Sequence, residues 1–256
     1  QGAKPLRDGG NWVATADYYG MVVAIPNNQG NGCFSYYGKT HTRESKDNGP
    51  IIEIIENLKD RSEFNIDANQ IYVTGLSAGA SQSMNLACLA PDLVAGVGIS
   101  AGPSIGTSFM AIAHDSWATP PNVADLCREF AGPYADHLDT QIASIAYGSR
   151  DNFVPRSYGP TNAEAMALVY GVSAPAGALT VPGGGTAKIS SDENGPRVSL
   201  MEIEGVSHAW SAGGGPGGSW IDNSHVNYPE YVTTFFFDNN RRVNRDFNEK
   251  PELSFE

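Results

Sequence analysis

Residues 70–80 read QIYVTGLSAGA, and no other stretch constrains the chain as tightly. Ile71 to Thr74 are β-branched or aromatic, the pattern of a buried strand. Gly75-Leu76-Ser77-Ala78-Gly79 then fits G-x-S-x-G, and the small residues from Ala80 to Ala90, with Met84, Leu86 and Leu89 among them, suit a helix. Strand, G-x-S-x-G and helix in that order predict a sharp elbow that lifts a serine above a sheet. A side chain at position 75 or 79 is expected to collide with neighbouring backbone, which accounts for both glycines. Ser77 would then stand at a helix N-terminus, where free N–H groups and the positive end of the helix dipole stabilise a developing oxyanion.

The flanking sequence predicts repeated strand and helix. Asn11 to Tyr19 read as a helix stopped by Gly20, and Met21 to Ile25 as a buried strand ended by Pro26. Asn27 to Asn48 form a long polar loop with Phe34, Tyr36 and Tyr37. Ile51, Ile54, Ile55 and Leu58 recur at helical spacing. Val94 to Ser100, Ile142 to Tyr147 and Val198 to Ile203 read as strands, Asn162 to Tyr170 and Tyr228 to Val243 as helices. Gly183 to Gly185 and Asp192 to Gly195 are turns. This alternation implies an α/β fold with a mostly parallel sheet covered on both faces. Residues 103–140 interrupt it with several prolines and Trp117. They read either as an insertion over the C-terminal edge of the sheet, forming a lid or substrate wall, or as a packed surface excursion. One domain over 1–256 suits the length.

The chemistry follows from Ser77. A serine hydroxyl needs a base to take its proton, and the base needs a group that orients it. On an α/β-hydrolase sheet the chain order is Ser, acid, His, each after a strand. Asp151 follows the Ile142–Tyr147 strand through Gly148-Ser149-Arg150, and His208 follows the Val198–Ile203 strand. His225 has no strand before it, His41 precedes the nucleophile, and His114 and His137 fall in the insertion, as do the other candidate acids Asp125, Asp136 and Asp139. The Ala78 N–H is the first expected oxyanion donor. Gly213 to Gly218 lack the Lys-Ser/Thr of a phosphate loop.

The net charge of −12 argues against nucleic acid, because neutralising phosphates takes Lys and Arg. No apolar run reaches the roughly 20 residues that span a bilayer. The three cysteines, Cys33, Cys88 and Cys127, have no metal-type spacing. An odd count leaves a free thiol or a partner elsewhere. A Cys33–Cys88 pair is conceivable, with connectivity open. No signal-peptide pattern is visible, as expected of a mature or a cytosolic chain. Few Lys with abundant Gly, Asn and Ser lean towards export, secreted or periplasmic.

With Ser77, Asp151 and His208 assigned, the chain resembles the family of extracellular poly(3-hydroxybutyrate) depolymerases and their feruloyl- and acetyl-xylan-esterase relatives. The resemblance rests on Tyr72-Val-Thr-Gly-Leu-Ser-Ala-Gly-Ala80, Ala146-Tyr-Gly-Ser-Arg-Asp-Asn-Phe-Val-Pro155 and Gly205-Val-Ser-His-Ala-Trp-Ser211, with Asn31-Gly-Cys-Phe34 similar to an Asn-Cys-aromatic segment. The family carries a His-Gly-Cys oxyanion motif followed closely by Gln, a place that Gln1 would fill. The resemblance therefore implies a domain whose first strands lie outside this chain, and a possible cleaved N-terminal fragment as partner. Without that motif one oxyanion donor is lost, worth roughly 2.7–4 kcal/mol of transition-state stabilisation. It further implies a secreted serine hydrolase acting on a polymeric or oligomeric ester, polyhydroxyalkanoate first, with no cofactor and no metal. Trp210, two residues after the base, is expected either to wall the acyl chain or to pack under the histidine loop, and Trp117 is a second substrate-binding candidate. The alternatives are a feruloyl or acetyl polysaccharide esterase, a polymer amidase with the same triad, and a non-catalytic binding protein on a hydrolase fold.

Overall fold

In a computed structural model, residues 3–28, 32–114 and 118–243 are described; Gln1, Asn31 and Trp117 lie outside them. The apolar runs form strands in the order Tyr72–Leu76 (β1), Gly96–Ser100 (β2), Ile142–Gly148 (β3), Ala176–Val181 (β4), Gly185–Asp192 (β5) and Gly195–Ile203 (β6). They make one sheet ordered β1-β2-β3-β6-β5-β4. The four strands from β1 to β6 are parallel, as the alternation predicts. The sheet is an α/β-hydrolase sheet in which β6, β5 and β4 continue as an antiparallel meander. Both turns of that meander and β6 match the sequence reading, but β4 and β5 have no counterpart in it. β4 is exposed at all but its last residue, so it carries no buried apolar run to read. Gly183, Gly184 and Gly195 turn the chain at positive φ (86°, 88° and 113°), where a side chain is disfavoured.

Helices cover both faces. Ala3–Gly9 (α1) and Trp12–Tyr19 (α2) open the chain, and Asn48–Lys59 (α3) matches the predicted apolar spacing. Ala78–Leu89 (α4) follows the elbow and is buried at every residue but Gly79. A helix buried all round needs no amphipathic stripe, and its small residues let it lie close on the sheet. Pro120–Ala131 (α5) and Tyr158–Val169 (α6) join α4 in one core with β1, β2, β3 and β6. On the opposite face Tyr228–Asn239 (α7) packs with Trp12, Tyr228, Val232, Phe235 and Phe236 in a second core. The short pair Trp210–Ser211 (β7) and Ile221–Asp222 (β8) closes that side.

Three expectations are corrected. Met21 to Ile25 form no strand, although Met21, Val23 and Ile25 pack on the second core while Val22 and Ala24 face out. The alternation is strand-like, but no described strand lies beside it to complete a ladder. The 103–140 region is not one lid. Its second half is α5, which buries Val123, Ala124, Cys127 and Ala131 against the sheet. The disulfide joins Cys88 to Cys127, tying α4 to α5, while Cys33 is free and exposed. Among the described residues no helix is long and apolar enough to cross a membrane, and no cluster of His, Cys, Asp and Glu could hold a metal.

Candidate active site

Ser77 sits between β1 and α4 at φ 59° and ψ −125°, a conformation that L residues rarely adopt. Strain of this kind persists only where surrounding structure enforces it. Here β1 and α4 approach so closely that a Cβ on Gly75 would lie 2.5 Å from the carbonyl carbon of Gly79. Position 79 is different: a Cβ there would meet only the Phe34 ring at 3.8 Å, an ordinary contact. The expected collision therefore holds for Gly75 alone. Ala78 and Gly79 open α4, and the first N–H groups of a helix have no acceptor within it.

The loops that carry Asp151 and His208 leave the ends of β3 and β6 and are bound to each other. Ser149 N donates to Ile203 O, Arg150 N to Val206 O, and Gly205 N to Ser149 Oγ, each at 2.9 Å. Gly148 permits the crossing, since a Cβ there would fall 2.2 Å from Val206 O. Across this junction His208 Nδ1 and Asp151 Oδ2 stand 2.7 Å apart. The other Asp151 oxygen accepts the N–H groups of Phe153 and Val154, both at 2.9 Å. Both side chains are buried. Asp151 is thus held on both oxygens, which fixes the imidazole so that its Nε2 is the nitrogen left for chemistry.

Ser77 and His208 line one cleft of about 790 Å³. Near them its rim is aromatic: Phe34, Phe109, Phe153 and Trp220. Phe153 and Trp220 flank the His208 ring at centroid distances of 5.1 and 5.8 Å. Trp220 holds φ at 61°, and its carbonyl accepts the Trp210 N–H at 2.9 Å. It is 47% exposed, so a large apolar surface stands open beside His208. Trp210 does not. It is fully buried against Trp12 and Tyr228 and donates its indole N–H to Gly10 O, so its role as a wall for the acyl chain is corrected to packing under the histidine loop. The sequence signal for Trp220 was the bulky residue ending a glycine-rich loop, a place that offers it no core to enter.

The other histidines are engaged elsewhere. His225 pairs with Asp222 at 2.9 Å, a second His–Asp couple, but neither residue lines the cleft with Ser77. His41 is buried beside Lys46, Asn48 and the Phe130 ring. His114 is exposed, its carbonyl accepting from Tyr158. The His137 carbonyl accepts from Thr140 and Arg242. Asp125 pairs with Arg128 at the surface, and Asp136 and Asp139 lie in the 3₁₀ segment Gly132–Thr140.

Residues 1–118 match the family model described as Esterase PHB depolymerase. The chain is 38% identical over 243 residues to a poly(3-hydroxybutyrate) depolymerase from Ralstonia pickettii, covering 92% of this chain and 50% of that protein. It is 27% identical over 245 residues to poly(3-hydroxyalkanoate) depolymerase C from Paucimonas lemoignei, covering 88% of this chain and 58% of that protein. The chain thus spans about half the length of the curated relatives it matches. Among solved structures its fold is similar to an acetyl xylan esterase from Aspergillus awamori, with a TM-score of 0.66 at 20% identity, over 81% of this chain and 80% of that one.

Proposed function

From the premise that the chain belongs to the esterase PHB depolymerase family, we propose that it is the catalytic domain, spanning 1–256, of a secreted serine esterase that cleaves a polymeric or oligomeric ester, polyhydroxyalkanoate first. The observation that carries the reading is the buried 2.7 Å His208–Asp151 pair, with His208 lining the same cleft as the strained Ser77.

The steps follow from the side chains. His208 Nε2 takes the Ser77 hydroxyl proton as Oγ attacks the ester carbonyl, and the carbonyl oxygen gains the negative charge. The Ala78 N–H supports that charge at the head of α4. Asp151 keeps the imidazole oriented and stabilises its protonated form. Collapse of the tetrahedral intermediate breaks the bond to the alcohol oxygen, which takes the proton from His208, and leaves the acyl group on Ser77. Water activated by the same imidazole then releases the acid and restores the serine.

The aromatic rim suits a substrate whose repeating unit is a short apolar chain. Phe153 and Trp220, 5.9 Å apart on the cleft wall, would offer an apolar contact to the ester next to the reacting one. The names of the two curated relatives support a polyhydroxyalkanoate over a polysaccharide ester. The Cys88–Cys127 disulfide supports an oxidising compartment, secreted or periplasmic. The discriminating experiment offers the chain hydroxybutyrate oligomers, acetylated xylan and a feruloyl ester side by side. Release of 3-hydroxybutyrate well above acetate and ferulate is expected. Preferential release of acetate or ferulate would move the chain to the polysaccharide esterases, and no release by the wild-type chain would favour a binding protein.

A further inference from the structure

Asp151 and His208 come from two different loops, so the 2.7 Å between them depends on what keeps those loops in place. On the β6 side the chain turns at Glu204-Gly205, with Gly205 at φ 82°, and His208 follows shortly after. Beyond the β6 ladder, hydrogen bonds of 2.9 Å hold residues 203–206 among the described residues. Ile203 O accepts from Ser149 N, Glu204 N donates to Gly184 O, and Val206 O accepts from Arg150 N. Gly205 N donates to Ser149 Oγ. All but the last join main chain to main chain, and a side-chain substitution leaves their atoms in place. The Gly205 bond alone ends on a side chain.

That side chain stands inside the turn that carries the acid. Asp151 N donates to Gly148 O at 3.1 Å, which makes Ser149 and Arg150 the central residues of the turn. The Ser149 carbonyl is itself fixed, accepting from Arg156 Nη1 at 2.7 Å. One hydroxyl, close in sequence to Asp151, thus reaches across to the turn that leads into His208. Its oxygen accepts a part-buried N–H that would otherwise be orphaned. Alanine at 149 removes the acceptor. Threonine keeps it.

We propose that Ser149 is a positioning residue for the reaction assigned to Ser77: its hydroxyl holds the His208 turn against the Asp151 turn. The inference rests on the serine-esterase reading. Ser149 does not line the cleft, so it acts through His208 and not on substrate. A catalytic group displaced by about 1 Å can cost about 10²-fold in rate. A purely structural role predicts something else, namely lower stability with unchanged turnover per folded molecule.

The test compares Ser149→Ala, Ser149→Cys and Ser149→Thr with the wild-type chain in hydrolysis of p-nitrophenyl butyrate. In Ser149→Ala, kcat is expected to fall about 10–100-fold while KM stays within about twofold. Ser149→Cys keeps nearly the same shape with a weaker acceptor, so it shows a loss of kcat even where packing is preserved. Ser149→Thr should stay within about threefold of wild type, because the oxygen is retained. The far-downfield Nδ1 proton resonance of His208 reports its bond to Asp151. It should weaken in Ser149→Ala and persist in Ser149→Thr. Urea unfolding gives the folded fraction of each variant. Wild-type kcat in both Ser149→Ala and Ser149→Cys would overturn the proposal, whatever their unfolding midpoints. A rise in KM with kcat unchanged would overturn it too. A wild-type chain without turnover would remove the serine-esterase reading and this role with it, whereas an active wild type with unaffected variants removes this role alone.

Discussion

Asp151 holds His208 by one carboxylate oxygen, Oδ2, 2.7 Å from Nδ1, while Oδ1 is fixed by the backbone of Phe153 and Val154. The His208 ring is therefore held by a side chain from the loop after β3. An Asp151→Asn variant keeps the shape and loses the charge that fixes the tautomer. Its ester turnover should fall by about 10⁴-fold. Asp222→Asn, which alters the other His–Asp couple, should leave turnover within a few-fold of wild type. Steady-state hydrolysis of p-nitrophenyl butyrate by both variants separates the couples, and a large loss in Asp222→Asn would reverse the assignment.

Two tryptophans near the base should behave in opposite ways. Trp220 is half exposed and held at φ 61°. Trp220→Ala should raise KM for hydroxybutyrate oligomers roughly three- to tenfold, the worth of one aromatic contact, with little change in unfolding midpoint. Trp210 fills the second core. Trp210→Ala should cost about 3–5 kcal/mol of stability, read from denaturant unfolding. If Trp220→Ala bound oligomers as well as wild type, the aromatic rim would have no part in recognition.

The disulfide closes the α4–α5 crossover over a sequence separation of 39 residues. A loop of that length is worth about 4 kcal/mol through the entropy of the unfolded chain. The Cys88→Ala/Cys127→Ala double variant should lose stability of that order in urea unfolding. Cys33→Ala should lose none, because that thiol is free.

His41 gives the fold a pH dependence. Burial, helped by the nearby Lys46 ammonium, lowers its pKa below the ordinary value of 6.5. The folded state therefore binds this proton less readily than the unfolded chain does. Stability from the neutral ring is fully present above about pH 6.5 and is lost as pH falls towards the depressed folded value. His41→Gln should flatten that dependence. Urea midpoints at pH 7.5 and 5.5 check it, and equal slopes in the two proteins would assign the acid sensitivity elsewhere.

Much of the site could be read in the sequence because its chemistry is local. The elbow needs Gly75 two residues before Ser77, and Asp151 and His208 each follow a run apolar enough to be a buried strand. What could not be read depends on distant partners. Met21 to Ile25 have the pattern of a strand, but a strand also needs a neighbour. β4 is a strand only because β5 pairs with it. Cys88 and Cys127 face each other because α5 packs on α4, a relation that spacing cannot encode. Trp210 and Trp220 were separable only by burial: one lies under the histidine loop, the other at its rim.

The role of Ser77 is tested most directly by treating the chain with a fluorophosphonate and mapping the adduct by peptide mass. A single adduct on Ser77 is expected, absent in Ser77→Ala and slowed by orders of magnitude in His208→Ala. No adduct on Ser77, or equal labelling of the Ser77→Ala variant, would contradict the serine-esterase reading.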